Sequence, residues 1–224
     1  MPGQLRLERP QDAGRRLMRV RLAAEFGLVF FVLIAVYALL EPPGGPIPVL
    51  LVLAVAAVVH LRRQDGFDRR DLWRPGALRG EWRQLLGLWV VAAVAMTGLV
   101  AWLAPDRLFD LPRERPLLWA LIVVFYPLAS VYPQELLYRA FLLHRYAPLF
   151  PGPRSAALAG ALAFGFAHII FGNVLAVVMT LAGGWLFARR YQASRSLFTV
   201  SVEHAAYGLL IFTVGLGGFF YHGA

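Results

Sequence analysis

Seven apolar runs, each near the length that a bilayer imposes on a helix, leave this chain few ways to fold. They lie at about 22–40, 46–61, 85–104, 117–143, 155–171, 173–188 and 197–220, and a helix needs about 20 mainly apolar residues to cross the hydrocarbon core. The fold class expected is all-α: a polytopic transmembrane bundle of seven or eight helices in a single membrane domain. The fourth run is too long for one simple crossing. It reads either as a tilted helix bent at Pro133 or as a crossing helix followed by a separate motif helix, which would make eight. Pro133 removes a backbone donor, so a kink is expected there. Only 16% of the 224 residues are charged, too few to coat a water-soluble domain of this size. The sequence has no Cys, which excludes disulfides, thiolate metal sites and cysteine nucleophiles.

Every basic residue is Arg, and the net charge is +9. The arginines flank apolar runs, where they set topology and meet anionic headgroups. No basic, aromatic-interleaved soluble module is present, so nucleic-acid binding is not expected. Residues 1–21 form a basic N-terminal tail carrying Arg6, Arg9, Arg15, Arg16, Arg19 and Arg21. The run at 22–40 lacks a small-residue cleavage site and reads as an uncleaved first helix rather than a signal peptide. The loop at 62–84 carries seven more arginines, including Arg62, Arg69 and Arg83. Its Leu72, Trp73, Leu78 and Trp82 suit a segment lying at headgroup depth. Both basic segments are expected in the cytoplasm, with the protein in a bacterial cytoplasmic membrane. In the fifth run Ala156, Gly160, Ala159 and Ala163 follow a small-xxx-small pattern that suits close interior packing.

Ionisable groups inside such runs are costly, about 2.5–3.5 kcal/mol each for Arg, Lys or Asp on insertion scales. Glu135 and Arg139 are four apart on one helix face, with Gln134 about 100° around from Glu135. Phe164 and His168 are also four apart, and His204 lies in the last run. A buried ion pair that only locks the helix and a histidine that only packs are the plain readings of each alone. Together, a Glu and two His on three helices suit hydrolysis: carboxylate and imidazole take a proton from water, and a second imidazole donates to the oxyanion. An alternative use of the three is to hold a divalent metal. No H-E-x-x-H pattern and no second ligand pair supports it, so no cofactor is expected. His60, His144 and His222 lie near run ends and receive no role. Glu203, next to His204, either pairs with an Arg or approaches the same cavity.

Gln134-Glu135-x-x-x-Arg139, Phe164-x-x-x-His168 and His204-x-x-x-Gly208 resemble, in order, the E-E-x-x-x-R, F-x-x-x-H and H-x-x-x-N motifs of the CPBP family. That family contains CAAX prenyl proteases and bacteriocin-processing or immunity proteins, described as intramembrane glutamic endopeptidases. The resemblance covers about 117–220; the first three runs match only as generic membrane helices. Two positions depart from it. Gln134 stands where the family has its water-activating Glu, and Gly208 where it has Asn. The resemblance implies a peptidase site in which Glu135 takes over as base with His168. His204 then stabilises the oxyanion, helped by another donor such as Asn173 or Tyr207. In that arrangement Arg139 orients Glu135 and keeps it ionised, Gln134 positions water or substrate, and Phe164 packs the cavity wall. The substrate expected is a membrane-associated peptide or protein. Two other readings remain at this stage: an inactive homologue that binds a partner, of immunity or chaperone type, and a small proton-coupled transporter. The sequence does not specify an oligomeric state.

Overall fold

A computed structural model describes residues 10–220, with side chains from Asp12 onward. Arg6, Arg9 and His222 therefore lie outside the described residues. Among the described residues the chain is helical and has no strand. In order it forms α1 (10–40), α2 (Ile47–Arg62), α3 (Leu78–Leu103), the short α4 (Asp110–Glu114), α5 (Pro116–Arg145), α6 (Pro153–Ala167), α7 (Val174–Ser194) and α8 (Leu197–Val214). Five of these, α1, α3, α5, α6 and α8, contain stretches long and apolar enough to cross a membrane, and α2 is apolar but shorter. The protein is a polytopic integral membrane helical bundle.

The seven apolar runs correspond to seven of the helices, and the eighth is α4 in the connection before α5, where three acidic residues are matched by three arginines. No separate motif helix follows the long run: α5 is continuous from Pro116 to Arg145. It absorbs its prolines in widened π turns, Pro127–Val131 and Leu136–Phe141. The ring of Pro133 would crowd the carbonyl four residues back in a regular helix; that carbonyl lies in the first widened turn, which gives it room. Two boundaries also differ from the sequence reading. Arg15, Arg16, Arg19 and Arg21 are on α1 itself, which begins at Pro10, so they do not form a separate tail. The last helix stops at Val214 rather than 220, because Gly215 turns left-handed at φ 101°.

Local chemistry starts the inner helices. The side chain of Asn173 accepts the Ala176 N–H at 2.8 Å and caps α7, while Ser196 caps α8 by accepting the Thr199 N–H at 3.1 Å. Both satisfy donors that a helix start leaves open. Pro153 begins α6, where its missing N–H costs nothing. The small face of α6, with Ala157 and Ala161 buried and Ala161 against Gly184, packs along α7, the most extensive helix pair of the fold. In the apolar window of α8, 56% of residues are buried, against 6% in α3. So α8 is the central post and α3 lies at the edge. Exposed side chains on the outer helices, such as Leu39, Val55, Val94 and Trp102, are large and apolar, the surface that lipid solvates.

Ion pairs fix the arrangement where apolar contacts do not discriminate. Arg190 on α7 grips Glu203 on α8 with two bonds, Nε at 2.8 Å and Nη2 at 3.1 Å. It also pairs with Glu81 and bonds Gln84 at 3.0 Å on α3. Glu203 thus faces Arg190 rather than the cavity. Glu25 of α1 receives two bonds from Arg145 at the end of α5, at 3.0 and 2.8 Å. In the connection before α3, the enclosed Asp71 pairs with Arg74 and Arg195, and Ser196 donates to the Arg74 carbonyl at 2.9 Å. Burial pushes the Asp71 carboxyl above the usual carboxylate range, against the pull of Arg195 and Arg74. Trp73 and Trp82 stay exposed beside it.

Removing one partner of a buried pair leaves the other charge uncompensated, typically at about 3–5 kcal/mol. Glu203→Ala is expected at the lower end of that range, because Glu81 and Gln84 still hold Arg190. Thermal unfolding in detergent should therefore show a lower midpoint for Glu203→Ala than for wild type, and a partial return in Glu203→Ala/Arg190→Met.

Candidate active site

The second half of α5 carries Glu135 and Arg139 into the centre of the bundle, where both are completely buried. Glu135 Oε2 lies 3.0 Å from Arg139 Nε, and Glu135 Oε1 lies 2.8 Å from Nδ1 of His204 on α8. A carboxylate oxygen only accepts, so Nδ1 of His204 carries the hydrogen. Arg139 also donates to the Tyr138 carbonyl at 3.2 Å, and its guanidinium sits 5.1 Å from the centre of the Phe164 ring. Each charge in this cluster thus faces an opposite charge, a carbonyl or an aromatic face.

A cavity of about 320 Å³ opens beside the cluster, bounded by α5, α6, α7 and α8. Its polar lining includes Tyr126, Ser130, Gln134, His168 and His204, and its walls are largely aromatic. Glu135 is not among the lining residues; both of its oxygens face His204 and Arg139. The two histidines are held differently. His168 turns Nδ1 to the Phe164 carbonyl at 2.7 Å, so Nδ1 donates there and the neutral ring keeps a lone pair on Nε2. His204 gives its Nδ1 hydrogen to a carboxylate and stacks on Phe187, with centres 4.6 Å apart and planes within 17°. Phe164 lies against both imidazoles, 4.7 Å from His168 and 5.5 Å from His204. Gln134 donates to Ser130 at 2.7 Å.

The structure therefore brings Gln134, Phe164, His168 and His204 to one cavity, with Glu135 and Arg139 immediately behind His204. Asn173 is elsewhere. Besides capping α7, it donates to the Phe171 and Phe219 carbonyls at 3.1 and 2.8 Å, so its amide is committed to backbone. Tyr207 does line the cavity. Among the described residues no group of three His, Cys, Asp or Glu side chains is placed to hold a metal ion. His60 and His144 pack edge-on against Phe141 and Phe67, away from the cavity.

Tyr126, Ser130 and Thr180 also line the cavity and escaped the sequence reading. Tyr126 lies on α5 ahead of the Pro127–Val131 widened turn, and its hydroxyl is 3.4 Å from His204 Nε2. Within an apolar run a single Tyr looks like packing. The signal that could have found it is negative: a glycine at 208 leaves room for something to enter.

Residues 115–210 match the family model described as type II CAAX prenyl endopeptidase, Rce1-like. The match runs from the start of α5 into α8, the helices that build the cavity. It is consistent with the CPBP resemblance carried by the motifs and leaves α1–α3 outside. No curated protein and no solved structure matches the chain.

Asn173 provides a control for the site. Loss of an N-cap typically costs about 0.5–2 kcal/mol, so Asn173→Ala should lower the unfolding midpoint in detergent. Occupancy of the cavity by a small apolar probe, measured by fluorescence on the same sample, should not change.

Proposed function

We propose that this protein is an intramembrane endopeptidase that hydrolyses a peptide bond in a membrane-associated peptide or protein. The observation that carries the reading is the pair of imidazoles on one cavity with opposite hydrogen-bonding roles. His168 offers a lone pair and serves as the general base. His204, backed by the Glu135 carboxylate, serves as the charged donor. The family match over the same helices supports peptide hydrolysis as the reaction class.

In this reading Nε2 of His168 takes a proton from water while the water oxygen attacks the scissile carbonyl. The carbonyl oxygen becomes an oxyanion and receives the Nε2–H of His204. Collapse restores the carbonyl, breaks the C–N bond and passes the proton from His168 to the leaving amine. Gln134 cannot accept that proton as a carboxylate would; its amide orients water or the substrate backbone. Glu135 acts through His204 rather than on water, which revises the role that its place in the motif suggested. Arg139 keeps Glu135 ionised and aimed, as an orienting residue does for a catalytic His–carboxylate pair. The arginine-rich segments at the ends of α2, α5 and α7 gather at one end of the bundle, through contacts such as Arg195 with Asp71 and Phe67 with His144. Following the positive-inside rule, we place that end in the cytoplasm.

A second reading, a non-catalytic membrane protein that binds a partner, is favoured by one observation: the position where a basic carboxylate would meet the cavity holds Gln134.

The test is cleavage of a peptide library by the purified protein in proteoliposomes, with and without chelator. Wild type should cleave regardless of chelator. His168→Ala should lose about 10²–10⁴-fold in rate. Glu135→Gln, which keeps the shape but not the charge, should lose about 10²-fold or more. Equal rates in wild type and His168→Ala would remove the base from the scheme. No cleavage by wild type, together with a cellular phenotype unaffected by either substitution, would favour the partner-binding reading.

A further inference from the structure

The last motif raises a question that the two imidazoles leave open. An oxyanion is usually held by two donors, and Gly208 offers no side chain where the related motif has Asn. The space is not empty. A Cβ built on Gly208 would lie 2.2 Å from the Tyr126 hydroxyl oxygen and 2.4 Å from the Tyr126 ring. No side chain fits at 208 while Tyr126 stays where it is. Glycine on α8 and tyrosine on α5 thus share one site: the glycine's missing side chain admits the tyrosine's hydroxyl.

The hydroxyl's position has chemical content. It faces the cavity that Gln134, His168 and His204 line, and it stands 3.4 Å from Nε2 of His204. With His204 charged, as in the mechanism proposed above, both groups are donors, and a point on the cavity side lies within hydrogen-bonding reach of both, about 2.7–3.1 Å from each. The Tyr126 ring is fixed by edge-on packing against Phe212, with centres 5.4 Å apart, so the hydroxyl is preorganised. The other candidate donors are less well placed. Asn173 is spent on backbone, and Tyr207 has its ring beside Phe187.

We infer that Tyr126 is a further catalytic residue: its hydroxyl is the second oxyanion donor, replacing across the cavity the side chain that Gly208 lacks. This rests on the endopeptidase reading above. In the step concerned, the water oxygen bonds to the carbonyl carbon, and the carbonyl π pair moves onto oxygen. His168 receives the water's proton. Tyr126 and His204 each donate a hydrogen bond to the new oxyanion and keep their protons. When the C–N bond breaks, the electron pair returns to the carbonyl and both bonds relax.

The deciding comparison uses the full chain in proteoliposomes, with a peptide that wild type cleaves. Tyr126→Phe keeps the ring and removes only the donor. It is expected to lower kcat by about 10²–10³-fold, the usual effect of losing one oxyanion donor, with KM unchanged. A peptide phosphonate, which mimics the tetrahedral oxyanion, should bind Tyr126→Phe more weakly by a similar factor, while a non-hydrolysable peptide binds as before. As a rescue, Tyr126→Ala/Gly208→Asn should regain part of the rate that Tyr126→Ala alone loses, because Asn then has both the space and the donor. Wild-type kcat in Tyr126→Phe, with cleavage abolished in His204→Ala, would overturn the role of Tyr126 and leave the endopeptidase reading standing. Equal weakening of phosphonate and ground-state peptide would also overturn it, as the mark of a packing residue. Absence of cleavage by wild type would overturn both.

Discussion

The buried pair of Glu135 and Arg139 is the constraint on which the interior depends. Two full charges sit at zero exposure, on the stretch of α5 that the other helices enclose. Such a pair survives only if each charge meets an opposite charge or a polar or aromatic group within the protein. Oε1 of Glu135 finds His204 on α8, and the Arg139 guanidinium finds the Phe164 face on α6. Meeting these demands brings α5, α6 and α8 together. Once they meet, the cavity between them has its polar lining.

Placing the carboxylate behind an imidazole changes what that carboxylate does. A glutamate open to the cavity would act on water directly. Here its two oxygens are occupied, and its influence reaches the cavity through His204. The two histidines differ in what their Nδ1 atoms touch: a backbone carbonyl for His168, which leaves the lone pair of its neutral form on Nε2, and a carboxylate for His204. Similar side chains acquire opposite roles from one hydrogen bond each.

A second network keeps this core from sliding. Arg190 links α7 to α8 and α3, and Glu25 ties α1 to the end of α5. The outer helices α1–α3 expose large apolar side chains and carry few of the polar contacts of the cavity. The family match beginning at residue 115 follows the same division: it runs from α5 into α8, the helices that supply most of the cavity lining, and leaves out the earlier ones.

The sequence by itself determined the fold class, the seven apolar runs that become helices and most of the polar cluster; five of those helices are long and apolar enough to cross a membrane. Apolar length and intramembrane charge are local properties, readable without knowing what packs on what. It also located Gln134, Glu135, Arg139, His168 and His204, because polar and ionisable groups stand out against an apolar background. Other features needed the tertiary structure. The continuity of α5 through Pro127 and Pro133 depends on widened turns that no hydropathy pattern encodes. The commitment of Asn173 to backbone and of Glu203 to Arg190 depends on partners 46 and 13 residues away in the chain. That Glu135 faces a histidine rather than the cavity, and that Tyr126 fills the space above Gly208, follow from the angles at which three helices cross. Spacing along one helix gives the face a residue shares with its neighbours, but not what that face meets. That is settled by packing and by the need to pair every buried charge.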